Sequence, residues 1–527
     1  MGQMRSGITR RELIRRGLGA TGGAALLAAA APVLGAKAAP APRRGGTLVY
    51  GSGSEVVSLD PPTVGDTASA AIISMVYNGL VKYTPDLKIV PDLSPSWGVD
   101  GTKWTFKLRR GVTFHDGTAL DAAAVKAHFD RLLGPEGGLR GFLWVPFLES
   151  AQVVDANTVR FITKFPDPGF LGRLASTTGA IESPTAFKKN GKDIARHPVG
   201  TGPFKFDEWV QDEHITVSRN DSYFGDKAYL DKVIVRPIID DSARMIALMS
   251  GDVQLVIRVP PEQMSRVAGN PQLQLQTSEV LGTLFLGMNV LKKPFSDLRV
   301  RQALNYAIDK VSLVQNLYQG MAEVSNQIVS RGAAGYSAVA GFPYNPAKAK
   351  QLLTEAGYPD GFSSSMLVTS GAYVKDVEVE QAVQQQLATV GVKIQLQTAE
   401  WARYLELLRM PPTNSPLQMW LDSWFAVEAS QIILNRFGCQ SFRPHGANTA
   451  GFCNEELDGL LTQAERSLDG VTRNDLLSRA QKLASQQAPG VWLIQFKEAV
   501  GMSKKLHNPL FIKYEVLTVD EHTWLEA

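Results

Sequence analysis

The chain has 527 residues, 44% hydrophobic and 20% charged, an ordinary composition for a folded protein with two or three domains and cores of their own. Its 54 basic and 51 acidic side chains leave a net charge of +3, which gives no electrostatic case for nucleic acid. After the N-terminal segment no stretch approaches the roughly 20 apolar residues that a membrane-spanning helix needs.

The segment "TRRELIRRGLGATGGAALLAAAAPVLGAKA" opens with Arg10-Arg11, continues in an apolar run from Gly17 and ends in Ala36-Lys37-Ala38. A basic region, an apolar region and a small-x-small site make a secretory signal, cleaved after about Ala38. Thr9 to Arg15 also match the twin-arginine export pattern, and the run is too short and too rich in Gly and Ala to serve as an anchor. Loss of 1–38 removes six basic residues and one acid, so the mature net charge is −2. With no cysteine near the cleavage point, the exported protein is expected to be periplasmic and soluble, without a lipid anchor. The only cysteines are Cys439 and Cys453. In an oxidising compartment they can close a small loop worth about 3 kcal/mol; the other reading is two free buried thiols.

In chain order, "APAPRRGG" (39–46) is a leader and "TLVY" (47–50) a first strand. Helices are predicted at 69–80, 121–133 and 241–251, with strands at 103–109, 158–165, 214–219 and 232–238. In 121–133, Asp121 is a capping residue, and Val125, His128, Phe129 and Leu132 fall at helical spacing. A second half starts near "LFLGMNV" (284–290), followed by helices over 297–320 and 345–357. Asn345, Pro346 and Gly357 supply the cap, first-turn and stop signals of the latter. Strand "SSMLVTS", helix "DVEVEQAVQQQLATVG" and strand "VKIQLQTA" form a β-α-β unit, which argues for an α/β lobe. "MWLDSWFAVEAS" (419–430) reads as an apolar strand interrupted by Asp422, with Gln418, Trp420, Asp422 and Trp424 on one face. Met419, Leu421 and Ser423 take the other face, and "GVWLIQFKEAVGMSKKL" (490–506) is strand-like again. Glu378 and Glu380 read as a solvated helix face.

Catalytic signatures are lacking. Seven histidines are scattered, with no HExxH and no Cys/His ligand cluster, and there is no GxSxG, P-loop or GxGxxG. His115, in "FHDGT", reads as a loop anchor more than as a base. A glycosidase-type carboxylate pair has no positive signal.

Five co-linear blocks carry a family resemblance: "LKIVPDLSPSW", "WTFKLRRGVTFHDGTALDAAAVKAHFDRLL", "HPVGTGPFKFDEWVQDEHITVSRNDSYF", "KKPFSDLRVRQALNYAIDKVSLV" and "YNPAKAKQLLTEAGYPDGF". They resemble the periplasmic solute-binding proteins of ABC transporters in the peptide/nickel group, family 5. The resemblance implies an α/β, two-lobed periplasmic-binding-protein fold (type II, cluster C) with an extra subdomain on the first lobe. The expected boundaries are lobe I at 47–285 with the subdomain at about 85–200, lobe II at 286–495, and a return to lobe I at 496–527. The implied function is capture of a small organic solute, a peptide or peptide-like compound, and delivery to membrane permease subunits driven by an ATPase. A monomer without cofactor, metal, catalysis or nucleic-acid partner is expected; the alternatives are a secreted hydrolase of peptides or glycosides, or a metal- or haem-carrying variant of the fold. "FGCQSFRPHGANTAGFCNEELDGLL" resembles the cysteine-bounded loop of the dipeptide-binding members, which implies a Cys439–Cys453 disulfide.

In those members an aspartate after a Gly-Trp pair holds the ligand ammonium, and an arginine opening the preceding β-α unit holds the carboxylate. Here the pair is Ser423-Trp424, and the acid position falls at Val427 or Glu428. The arginine region, Ser370 to Tyr373, has no arginine, and Lys375 is the nearest cation. "AEWARYLELL" resembles a pocket-bordering stretch, and "SLDPPTVGD" a loop that faces the cleft. The expected ligand-binding residues are therefore Trp424, Glu428, Trp401, Tyr373, Asp422, Asp66 and Thr67. Arg403 is another charge near the site and reads as an exposed helix residue. Glu428 is the expected receptor of a cation, so that Glu428→Gln would weaken a cationic ligand about tenfold or more.

Overall fold

The structure is a computed structural model that describes residues 41–526 except 65, 138–140, 142, 370–371, 426, 444–445 and 513–515. The signal segment 1–38 lies outside the described residues. All elements below belong to the compact unit Pro42–Ala527.

Eleven strands among the described residues make one mixed sheet. One arm runs Phe204–Val210, His214–Arg219, Lys232–Pro237, Thr47–Ser52 and Leu255–Val256. The other arm runs Val392–Thr398, Phe362–Val368 and Met419–Phe425. Two long antiparallel strands, Leu273–Met288 and Gly490–Ser503, lie between the arms and belong to both, and the short eleventh strand, Ala322–Val324, pairs with Gly490–Ser503. Their register runs from Leu273↔Ser503 to Glu279↔Lys497, breaks, and resumes from Thr283↔Gln495 to Gly287↔Gly490. Residues 280–282 thus oppose Phe496 alone, a bulge that bends the ribbon where the arms meet. Gly282 is required there, since a Cβ would lie 2.0 Å from the Phe425 ring.

A separate antiparallel sheet of four strands, ordered Ser96–Asp100, Lys103–Lys107, Thr158–Thr163 and Leu148–Asp155, is inserted in the first half. Its strands alternate: Trp104 and Phe106 are buried while Lys103 and Lys107 are exposed. Helix Ala122–Leu133 adds Val125, Phe129 and Leu132 to this core, and Asp121 caps it by accepting from the Ala124 amide at 2.8 Å. His115 is a loop anchor, Nε2 lying 3.0 Å from the Gly202 carbonyl, and burial lowers its pKa to about 4.

The helix predicted over 297–320 is not continuous. Leu298–Ala307 ends at Ile308, and Asp309 starts a new turn by accepting from the Ser312 amide (3.0 Å) and hydroxyl (2.6 Å). An aspartate that bonds the backbone competes with the helix, so it caps where periodicity alone expects continuity. Helix Pro346–Glu355 has its predicted start, Asn345 accepting from the Lys348 amide. Cys439 and Cys453 are joined in a disulfide.

Candidate functional site

The loop after strand Phe362–Val368 is built on an acid. Asp376, first residue of helix Asp376–Ala388, accepts from Thr369 Oγ1 (2.9 Å), the Ala372 amide (2.9 Å) and the Tyr373 amide (3.3 Å). Beneath it, Glu380 accepts from the Thr369 amide at 3.3 Å. Glu380 is only 2% exposed, against the expected solvated face, because one helical turn after Asp376 it points back under the loop. Glu378 is half-buried and pairs with Lys375 at 2.9 Å.

Burial, with the Asp376 charge beside it, raises the Glu380 pKa from 4.5 to about 8. The unfolded chain ionises this group near 4.5, so its contribution is full below that pH and is lost as pH rises towards about 8. Glu380→Gln is expected to gain up to about 4 kcal/mol at pH 8, nothing at pH 4, in urea unfolding followed across pH.

Strand Met419–Phe425 carries the next layer. Met419 and Leu421 enter one core and Trp420 another, the alternation read from the sequence. Asp422 is 5% exposed, and its carboxylate is bound by Arg436 and by the Tyr373 hydroxyl at 3.2 Å. Arg436 also lies 4.6 Å from the Trp424 ring centre. Trp401 stands edge-on to Tyr373 at 6.3 Å and stacks on Tyr404 at 5.5 Å. Two polar atoms around Tyr373, Trp401 Nε1 and Ser423 Oγ, are buried without a hydrogen-bond partner. Arg403 pairs with Glu406 on the exposed helix face.

A cation reaches this loop from the opposite arm. Arg258, in the loop after strand Leu255–Val256, reaches the Ala372 carbonyl with Nη1 (2.9 Å) and Thr67 Oγ1 with Nη2 (3.2 Å). Its amide donates to Glu498 Oε1 at 2.6 Å, and its backbone is left-handed at φ +58. Such a conformation in a non-glycine residue is strained and needs surrounding structure to hold it. Glu498 is buried on strand Gly490–Ser503; burial raises its pKa, and the Arg258 charge opposes the rise. Nearby, Lys375 pairs with Glu262 at 2.8 Å across the same boundary. Asp66 caps helix Thr67–Val76 by accepting from the Ser69 amide (2.8 Å), and its charge acts on Arg409.

A second ionic cluster joins the segment after strand Thr158–Thr163 to the second half of the chain. Glu428 accepts from Arg473 and from the Ser430 hydroxyl. Arg473 lies 3.9 Å from Glu465, which pairs with Arg173 at 2.9 Å, and Arg173 pairs with Asp167 at 3.2 Å. Gly169 belongs here too, since a Cβ on it would lie 3.0 Å from Glu428 Oε2. By formal charge the cluster's three carboxylates outnumber its two guanidinium groups by one, and burial raises the Glu465 pKa while the Arg173 charge opposes the rise. Sequence reasoning placed Glu428 in the site and missed Arg173, Arg258, Arg436 and Arg473. The one available signal was an arginine inside the apolar run "LVIRVPP". Among the described residues no group of three or more His, Cys, Asp or Glu is placed to hold a metal, and no helix is long and apolar enough to cross a membrane.

The family model described as bacterial extracellular solute-binding proteins, family 5 Middle, matches residues 88–436. The glutathione-binding protein GsiB of Salmonella paratyphi A is 35% identical over 465 residues, 87% of this chain and 91% of that protein. The fold is similar to the periplasmic binding protein DppA of Helicobacter pylori in complex with the peptide STSA, with a TM-score of 0.84, 28% identity and coverage of 92% and 99% of the two chains. It is also similar to the oligopeptide-binding protein AppA of Bacillus subtilis in complex with a nonapeptide, with a TM-score of 0.85, 27% identity and coverage of 92% and 100%.

Proposed function

Because this chain belongs to the bacterial extracellular solute-binding proteins of family 5, and so serves as the substrate-binding component of an ABC importer, we propose that its ligand is a short peptide with a free carboxylate, held between two lobes. The observation that carries the reading is the placing of opposite charge along the boundary between the sheet arms. Arg258 lies beside Thr67 and Ala372, and the Glu428–Arg473–Glu465 cluster has its negative excess. A peptide zwitterion needs such paired receptors, since a buried charge left uncompensated is costly. Arg258 receives the carboxylate, from the lobe opposite to the one where the family's arginine stands. The ammonium turns to Glu428, whose share of the excess charge Arg473 does not cancel.

Trp401, Tyr373 and Trp424 form the wall, and the unsatisfied Trp401 Nε1 and Ser423 Oγ face the ligand backbone. Thr67 and Asp66 close the site from the first lobe, and Asp422 keeps Tyr373 in place. The lobes are 47–285 and 286–495, with the return at 496–527, and they rock about the bulged ribbon. Export by the twin-arginine signal, cleavage after about Ala38 and a soluble periplasmic monomer that performs no chemistry on its ligand complete the proposal.

Calorimetric titration of the purified protein with glutathione, a dipeptide and a tetrapeptide tests it. At least one is expected to bind saturably, one per chain, with no product formed. Failure of all three, with a non-peptide solute found by mass spectrometry of the purified protein, would sink the peptide assignment.

A further inference from the structure

A cavity of ≈ 300 Å³ lies between the first half of the chain and its last strands, towards the other end of the helix that begins the cleft side. Helix Thr67–Val76 presents Thr67 to Arg258, whereas Ile73 and the following Tyr77 line the cavity. At about 1.5 Å per residue, Ile73 and Tyr77 stand about 9 and 15 Å along the axis from Thr67. None of the residues in the peptide site described above lines this cavity.

Its walls divide by chemistry. Ile73, Tyr77, Tyr83 and Val90 make an apolar and aromatic side. Asp92, Asp520 and Glu521 bring three carboxylates to the other, with exposed Lys82 and His522 at the edge. Asp92 is satisfied, accepting from Asn78 Nδ2 at 3.1 Å and the Gly79 amide at 3.2 Å. Asp520 is also engaged, by the His522 amide at 3.0 Å and the Thr523 hydroxyl at 3.2 Å. Glu521 differs: it is 9% exposed, and its nearest ionic neighbour is His522 Nε2 at 3.9 Å, beyond a hydrogen bond.

A second observation is independent of the acids. Thr518 is 8% exposed, lines the same cavity, and its Oγ1 is buried without a hydrogen-bond partner. Buried hydroxyls are nearly always satisfied, and one that is not, beside an open volume, needs a partner that enters it. The volume sits at the lower end of small-molecule sites, and an apolar body with a few convergent polar groups is their usual make-up.

We propose that this cavity is a second ligand site, separate from the interlobe cleft, for a small organic cation: an ammonium group on an apolar or aromatic body. The ammonium lies against Glu521 and Asp520 and donates to Thr518 Oγ1, while Tyr77 and Tyr83 cover the body. An anion is rejected by the carboxylates, and a neutral isostere leaves Glu521 buried without a partner.

The probe is phenethylamine, titrated by calorimetry into the purified full-length protein, with 2-phenylethanol as its neutral counterpart. The amine is expected to bind saturably and at least tenfold more tightly than the alcohol. Its affinity should not change when the cleft is filled with a peptide. Glu521→Gln should weaken the amine at least tenfold, and Thr518→Val, which keeps every charge, severalfold. Equal binding of amine and alcohol, absence of saturable amine binding, or its displacement by a cleft-bound peptide would each overturn the site. These comparisons use the unsubstituted protein, so a variant that fails to fold does not shelter the proposal.

Discussion

Replacement of Asp422 by alanine is expected to remove about 3–5 kcal/mol of folding stability, the cost of leaving one member of a buried ion pair alone. The side chains of Arg436 and Asp422 are only 4% and 8% exposed, and the arginine cannot shed its charge. The same substitution takes the acceptor from the Tyr373 hydroxyl, whose pKa is raised by burial first and by Asp422 second. The measurement is a urea unfolding curve, with the change read as a shift of midpoint at constant slope. A double variant, Asp422→Leu with Arg436→Met, is expected to recover most of the loss, because an apolar pair of similar volume has no charge to desolvate. A loss below about 1 kcal/mol in the single variant would instead mean that the carboxylate is free to serve a ligand.

Arg258→Met is expected to weaken peptide binding by about a hundredfold, close to 2.7 kcal/mol. The guanidinium stands where the two arms meet, and a fork of fixed donors suits a carboxylate in a way that a methionine cannot imitate. Stability falls as well, because buried Glu498 loses the charge that opposes its desolvation. The two effects separate in a cycle with a C-terminally amidated peptide. Amidation should cost the parent protein most of the hundredfold and the variant almost nothing. Equal losses in both proteins would move the carboxylate away from Arg258.

What could be read from sequence was local. The alternation in strand Met419–Phe425, the caps at Asp121 and Asn345 and the cysteine pair depend on neighbours a few positions apart or on a matched block. The site is legible only on one side. Trp401, Tyr373 and Trp424 gather around Asp422 and Arg436 through a single lobe's β-α order, which the resemblance supplies. Their arginine partners obey no period: Arg258 and Glu498 are 240 positions apart, Arg473 and Glu428 45. Glu380 misled for a related reason, since a helix carboxylate reads as solvated until the loop folded over it is known.

The two strands shared by both arms also dictate when the protein can fold. Leu273 pairs with Ser503 and Gly287 with Gly490, so the middle of the sheet waits for a segment about two hundred positions further along the chain. Met419–Phe425 can pair with Leu273–Met288 before then, but the free edges of Leu255–Val256 and Leu273–Met288 stay open, and such distant pairing is slow because a long loop must be closed first. On the ribosome the growing chain therefore carries two unfinished half-sheets with open edges. The sheet is completed only once residues 490–503 have been made, in a step that engages both halves of the chain together.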